Sequence, residues 1–466
     1  MKKLFLSRIT LFAGVGLVVL SASAQSLPPG TAAYSPGAAD DEISWKTFIS
    51  VVKPAPQTTP AWPKGALTFE TWATDHDTYQ TTPPHWPSAS SPPTVRFQQG
   101  ALGLHSRGGL KTKRQGDTST NGLPPSVTCV SPGNAIAGNF PTPAATAPPA
   151  NCAAEEVRRN KLAFDYIAGI YQPPGTPPPG LSPPLYTSSQ LKTNFGVNTP
   201  VNFPQGKTKG DITNAALELK VDWVPVDTVV VWLNQNKQNP AVPKPVTKQF
   251  VLQNYFITKQ ADGTQYALLS MHLSLKDRPN WLWSTFEHQL NVGRCDTMGC
   301  YDKYGMPSGL AAIAPNAQSN QPYPVCSTKS PALKNLLKTA GLGPEWNNYC
   351  LKSTQTEFTV ASGTNLGASK PANKTGAPPP LLGAPLSVLS GDSVVERIVA
   401  DVPIVTSSCI TCHSYAAFDK NGCISQANPG LQPGAGPIGA HKPQAGQKQY
   451  DFVWGFITMS TGCSGP

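Results

Sequence analysis

Charge is scarce in this sequence. Asp, Glu, Lys and Arg make up 13% of the 466 residues, and the net charge of +10 is spread without any run of Lys or Arg. A nucleic-acid-binding face needs clustered basic residues, so no nucleic-acid partner is expected. A mildly basic surface suits docking to an acidic redox partner protein instead. Long apolar runs are missing beyond Leu20. None approaches the ~20 residues a membrane helix requires, so no membrane span is expected in the mature chain. There is no phosphate-binding loop, no nucleophile elbow and no dinucleotide fingerprint. Nor is there a second Cys-x-x-Cys or a His pair at zinc-finger spacing. These absences remove the common signatures of nucleotide-dependent enzymes, serine hydrolases and structural zinc domains. No internal repeat is found.

Proline is abundant instead: 50 Pro and 40 Gly, with Pro at roughly twice its usual share. The Pro-rich stretches Thr81–Thr94, Pro141–Ala150, Gln172–Leu185, Gly376–Pro385 and Asn428–Gly446 read as surface loops or connectors. Between them, Asp41–Val52 has helical spacing through Ile43, Trp45, Phe48 and Ile49. Glu155–Tyr171 reads as the best helix of the body, opened by Glu155 and Glu156, with Leu162, Phe164, Ile167 and Ile170 on its apolar side. Leu217–Val226 alternates as a strand with Leu217, Leu219, Val221 and Trp223 on one side. Val229–Trp232 and Gln249–Thr258 look extended. Tyr266–Lys276 reads as a buried strand with Leu268, Ser270, His272 and Ser274 on one face and Ala267, Leu269, Met271 and Leu273 on the other. Ser393–Val402 reads as a short helix. The expected fold class is therefore α+β, a loop- and Pro-rich body containing β structure, followed by a small helical segment at the C-terminus. Asp75 and His76, in Ala73-Thr74-Asp75-His76-Asp77, look metal-like but read more simply as an exposed polar turn.

The N-terminus carries Lys2, Lys3 and Arg8, then an apolar run from Ile9 to Leu20, then Ala22-Ser23-Ala24. That is the pattern of a secretory signal peptide over residues 1–24, cut after Ala24, and it predicts a periplasmic protein. Export places the ten cysteines in an oxidising compartment. Eight of them, Cys129, Cys152, Cys295, Cys300, Cys326, Cys350, Cys423 and Cys463, suffice for four disulfides whose connectivity is not readable from sequence. Local pairing suggests Cys129 with Cys152 and Cys423 with Cys463.

The remaining two belong to Cys409-Ile410-Thr411-Cys412-His413. This Cys-x-x-Cys-His pattern is the signature of covalent haem attachment. Two thiols on one turn of backbone reach the two vinyl groups of one porphyrin, and the following imidazole supplies an axial nitrogen to iron. One covalent haem c is thus expected on Cys409, Cys412 and His413. A thioredoxin-like reading would need a βαβ context that the sequence lacks. Met459 is the only Met beyond the motif and is the first candidate for the second axial ligand, since Met/His ligation suits electron transfer. His441, His272 and His288 compete for that position. Trp281, Trp283 and Phe286 beside His288 form an aromatic patch fit to wall a haem pocket.

The chain resembles a family of exported proteobacterial cytochrome c family proteins without an assigned reaction. The likeness is carried by Ser44-Trp45-Lys46-Thr47-Phe48, Phe69-Glu70-Thr71-Trp72, Arg159-Asn160-Lys161 and Phe164-Asp165-Tyr166-Ile167. It continues through Phe203-Pro204, Glu218-Leu219-Lys220 with Trp223, His272, Trp281, Trp283, Thr285, Phe286, Glu287, His288 and Asn291, and ends on Ser408 through His413. The resemblance implies a single haem, held by Cys409, Cys412 and His413, on a large body of unassigned function. The expected organisation is a signal peptide over 1–24, a body over 25–380 and a haem-binding segment over 381–466. The expected function is that of a periplasmic monohaem cytochrome in electron transfer. A haem enzyme of peroxidase or oxygenase type, or a haem-based sensor, is the alternative.

Overall fold

The computed structural model describes residues 37–56, 61–93, 128–129, 152–173, 182–197, 200–235, 242–259, 263–291, 300–313, 326–356, 409–414, 416–423 and 446–454. The expected signal peptide, the 393–402 helix, His441, Cys295, Cys463 and Met459 all lie outside the described residues.

The described chain is α+β, as its sequence predicts. Its centre is an eight-stranded antiparallel sheet made of β1 (Ala73–Thr74), β2 (Thr128–Cys129), β3 (Cys152–Arg159), β4 (Leu217–Pro225), β5 (Ile257–Lys259), β6 (Gln265–Leu275), β7 (Leu282–His288) and β10 (Tyr349–Gln355). The strand order is β1-β3-β4-β6-β7-β10, with β2 added on β3 and β5 on β6. Two small hairpin sheets stand apart: β8 (Cys300–Tyr301) with β9 (Ala312–Ile313), and β11 (Ala417–Asp419) with β12 (Gln447–Gln449). The helices are α1 (Ala38–Val52), α2 (Lys161–Ala168), α3 (Ser188–Phe195), α4 (Val226–Gln235), α5 (Lys248–Asn254), α6 (Pro331–Thr339) and α7 (Cys409–Ser414). No described helix is long and apolar enough to cross a membrane.

One face of the sheet is apolar. Leu217, Leu219, Val221 and Trp223 of β4, Met271, Leu273 and Leu275 of β6 and Phe286 of β7 pack under α1 and α6 through Trp45, Phe48, Leu333 and Leu337. Phe48 stacks on Phe286 with centroids 4.3 Å apart, and Trp45 meets the same ring edge-on at 4.9 Å. Burying each such side chain stabilises the fold by roughly 1.5–3 kcal/mol. Asp40 and Asp41 sit in the first turn of α1, where carboxylates favour the positive end of the helix dipole.

The other face is polar and also buried. Asp222, Ser270, His272, Thr285, Glu287, Ser353 and Gln355 all lie below 9% exposure, and strand pairing aligns them across β4, β6, β7 and β10. A register shift in β6 opposite Asp222/Trp223 makes this possible. The extra residue there, Leu269, breaks the expected alternation. Leu268 joins the apolar core with Met271 and Leu273, while Ala267 and Leu269 pack with α4 and α5.

Four sequence expectations change in the structure. The predicted helix over 155–171 splits: residues up to Arg159 form β3, and only Lys161–Ala168 is helical. Glu156 does not open a helix, because it is buried between Arg158 Nε (2.7 Å) and Trp223 Nε1 (3.2 Å). Asn160 starts α2 by accepting from Ala163 N, and Gly169 ends it in the left-handed conformation, leaving Ile170 exposed. The Val-rich 229–232 segment is helical within α4, because Val226, Val229, Val230 and Leu233 fall on one helical stripe against α5. Its β-branched composition misleads because burial outweighs propensity. Gln249–Thr258 is mostly α5, capped by Thr247 Oγ1 accepting from Phe250 N at 3.2 Å, with β5 after it. The Asp75–Asp77 turn is buried rather than exposed: Asp75 pairs with Arg159, and Asp77 accepts from Thr74 N at 3.0 Å.

The described residues of the 381–466 segment share a core with the body. Ile410, Ala416, Phe418, Tyr450 and Val453 pack with Ala163, Ile167, Leu191, Phe203, Trp281 and Trp283. Cys326 and Cys350 form a disulfide with Cα atoms 5.7 Å apart. Cys300 and Cys423 are also disulfide-bonded. Cys129 and Cys152 are directly paired residues of β2 and β3.

Candidate functional site

The Cys-x-x-Cys-His residues form α7, and α7 lies on the polar face of the sheet. Ile410 anchors it, fully buried among Trp281, Trp283, Phe418 and Phe452. Cys409 is partly buried and its thiol is free. Its Sγ lies 3.9 Å from His272 Nδ1 of β6. The His413 ring lies 4.6 Å from the Trp283 ring of β7. Residues far apart in sequence thus meet at one place: the motif, the strand histidine His272 and the tryptophan patch.

His413 is held by its backbone-facing nitrogen. Nδ1 lies 2.6 Å from the carbonyl oxygen of Phe452. A carbonyl only accepts, so Nδ1 carries the proton and donates it, and Nε2 of the neutral ring keeps its lone pair. Burial pushes the imidazole down to about 3, opposed by the Phe452 hydrogen bond and reinforced by the nearby charges of Lys220 and His272. A neutral imidazole with Nδ1–H on a carbonyl is the form in which His ligates a metal.

The carbonyl that holds His413 comes from a strained turn. Asp451 and Phe452 have φ of 47° and 69°, a region that costs side-chain-bearing residues ~1–2 kcal/mol each. Trp281, with φ 61°, is strained beside them. The turn is pinned by the Asp451 carboxylate, which accepts from Phe203 N at 2.7 Å, Lys276 Nζ at 2.6 Å and Trp281 Nε1 at 3.5 Å. Lys276 also sits over the Trp281 ring at 5.4 Å. Strain that the surroundings enforce marks functional sites more often than idle loops.

Two further contacts fasten the segment to the body. Lys448 Nζ donates to Asn194 O (2.7 Å) and Val197 O (3.0 Å) at the C-terminal end of α3, the end where cations are favoured. Gly422, at φ 74°, lies so close to Ser188 at the other end of α3 that any Cβ would meet the Ser188 carbonyl oxygen.

Among the sequence candidates, His272 comes to the site and His288 does not. His272 Nδ1 is 3.0 Å from Thr285 Oγ1, and Nε2 is 3.9 Å from Asp222 Oδ2, so both nitrogens are directed along the polar face. His288 pairs with Tyr349 on β10 and stacks on Tyr255 at 3.5 Å. Its Nε2 is 2.9 Å from Asn254 O, and its Nδ1 accepts from Leu290 N. It is a core histidine. Glu287 is paired with Lys352 at 2.9 Å on the polar face. Sequence reading found the tryptophan patch but not Phe452, Asp451 or Lys276. A backbone carbonyl leaves no residue signature, and a buried Lys–Asp pair far apart in sequence leaves no spacing.

Among the described residues, no group of three or more His, Cys, Asp or Glu is placed to hold a metal ion by itself. The residues instead fit a group that brings its own donors: one neutral imidazole, a free thiol one helical turn before it and an aromatic wall. No family model, no curated protein and no solved structure matches the chain.

Proposed function

We propose that this chain is an exported monohaem c-type cytochrome. One haem is bound covalently through Cys409 and Cys412 and ligated by His413, and it takes part in electron transfer with a redox partner protein. The observation that carries the reading is the His413 Nδ1–Phe452 O hydrogen bond of 2.6 Å, which fixes the tautomer and leaves Nε2 for iron. When bound, the haem supplies an iron centre that cycles between ferric and ferrous. The chain's own residues do the rest. Asp451 and Lys276 hold the turn that presents Phe452, Trp283 shields the imidazole from water, and the sheet face beneath α7 sets the polarity around the group. Met459 supplies the sixth ligand in this reading.

A second reading rests on His272, Thr285 and Asp222. A buried histidine with a hydroxyl and a carboxylate beside Cys409 is an arrangement that moves protons, and it suits a haem enzyme with an open distal position. Spectroscopy of the purified protein separates the two. A ferrous form that is low-spin and refuses carbon monoxide supports the electron carrier. A high-spin ferric form that reacts rapidly with peroxide supports the enzyme and rejects the carrier.

A further inference from the structure

One polar side chain of the site face has no partner. Gln355 is 0% exposed, and neither its Nε2 nor its Oε1 meets a hydrogen-bond partner. Leaving a buried amide unpaired is costly, so such groups in folded proteins are generally satisfied by something.

Its direction follows from the strand. Thr354 Oγ1 lies 2.8 Å from Ser44 Oγ of α1, so Thr354 faces the apolar layer. Gln355, next along β10, therefore faces the opposite side, since successive side chains alternate. It pairs with Trp283 across β7 and β10, and the Trp283 ring lies 4.6 Å from that of His413. The orphaned amide is thus on the face that α7 covers.

The chemistry of the missing partner can be read from the amide. Nε2 offers two N–H donors and Oε1 a carbonyl oxygen that accepts, a combination that suits a carboxyl group. The same face carries Lys220, whose charge acts on His413 and which pairs with His272 across β4 and β6. His272 stands at the sulfur of Cys409. From His272 to Gln355 the sheet runs two strand spacings across and two residues along, about 12 Å. That separation is comparable to the breadth of a porphyrin from its vinyl edge to its carboxylate edge.

We propose that Gln355 is a positioning residue for the prosthetic group, donating from Nε2 to one haem propionate. Oε1 accepts a hydrogen bond from that carboxyl's O–H when the carboxyl is protonated. The assignment rests on the cytochrome reading above and extends it to the opposite edge of the ring. No bond is made or broken by this contact.

The test uses the full-length exported protein, with Gln355→Leu and Gln355→Asn variants beside the wild type. Three quantities are read: the intact mass, the resonance Raman propionate-bending bands and the midpoint potential. All three proteins should carry the mass of one haem. Gln355→Leu should then shift one propionate-bending band and lower the potential, because the propionate charge loses its donor. Gln355→Asn should recover part of both shifts. Should the haem be present but both readouts of Gln355→Leu match the wild type, the propionate contact is wrong while the cytochrome reading stands. Gln355→Leu fills nearly the same volume and removes an orphaned polar group, so it is expected to fold. If it does not, an unshifted Gln355→Asn overturns the proposal in its place. A wild type without haem overturns both readings.

Discussion

The Asp451 carboxylate receives the Lys276 ammonium at 2.6 Å, with both side chains almost wholly buried. Lys276 directly follows β6, and Asp451 opens the strained turn whose next carbonyl, that of Phe452, holds His413. Burial acts on both partners in opposite senses, raising the Asp451 carboxyl and lowering the Lys276 ammonium, while each counters the effect on the other. A pair of this kind gives little net stability but fixes one geometry. What it fixes here is the position of the histidine.

Breaking it from one side leaves a buried charge without compensation. Asp451→Ala is expected to destabilise the protein by about 3–5 kcal/mol and Lys276→Met by a similar amount. The double variant Lys276→Met/Asp451→Ala should be less destabilised than the sum of the two single variants. Chemical denaturation of the four proteins measures this. Additive losses would show that the two side chains act independently.

Gly422 packs against the first turn of α3 with no room for a side chain. Gly422→Ala adds both the ~1–2 kcal/mol of a left-handed residue and a contact with the Ser188 carbonyl oxygen. Limited proteolysis should therefore cut the segment beyond residue 409 faster in Gly422→Ala than in the wild type, with α1 and the central sheet unaffected. Equal rates would mean that α3 moves aside freely.

The other face of the sheet carries a pH-dependent element unconnected with the site. Burial, then the nearby Asp302 charge, pushes the Asp41 carboxyl up to about 7, against hydrogen bonds from Lys303 N and Thr354. Burial raises Asp302 as well. Between about pH 4 and 7 the folded chain therefore holds a proton on Asp41 that the unfolded chain has released. Stability contributed by that proton is present below the unfolded value and is lost as pH rises through the folded one, by at most ~1.4 kcal/mol per pH unit. Asp41→Asn keeps the acceptor for Lys303 N and should flatten the fall in stability from pH 5 to 7. An unchanged pH profile would place the titration elsewhere.

Much of the frame is legible in the sequence because it is periodic. Trp45 and Phe48 on α1 and the alternation of Leu217 to Trp223 on β4 announce their core faces without help. What misleads is local composition set against a distant partner. Glu155 and Glu156 look like the start of a helix only until Glu156 is seen between Arg158 and Trp223. The Leu269 bulge, which turns His272 toward the site, leaves no mark in a run of apolar residues. The motif residues are plain in the sequence. Their surroundings are not, because Phe452 contributes a carbonyl and Gln355 an orphaned amide, and neither function is encoded by residue type.

Met459 is the sixth-ligand candidate that sequence order supplies. Met459→Ala should abolish the near-infrared charge-transfer band of Met-to-iron ligation and lower the midpoint potential, since Met ligation raises it. Persistence of the band would remove Met459 from the iron.

The most direct measurement is the intact mass and visible spectrum of the full-length chain exported by a host that attaches haem covalently. The account predicts a red protein heavier than its polypeptide by one haem, resistant to acid–organic extraction, with Cys409→Ser/Cys412→Ser colourless yet folded. A wild-type protein that is exported and folded but colourless, at the mass of the polypeptide alone, would contradict it.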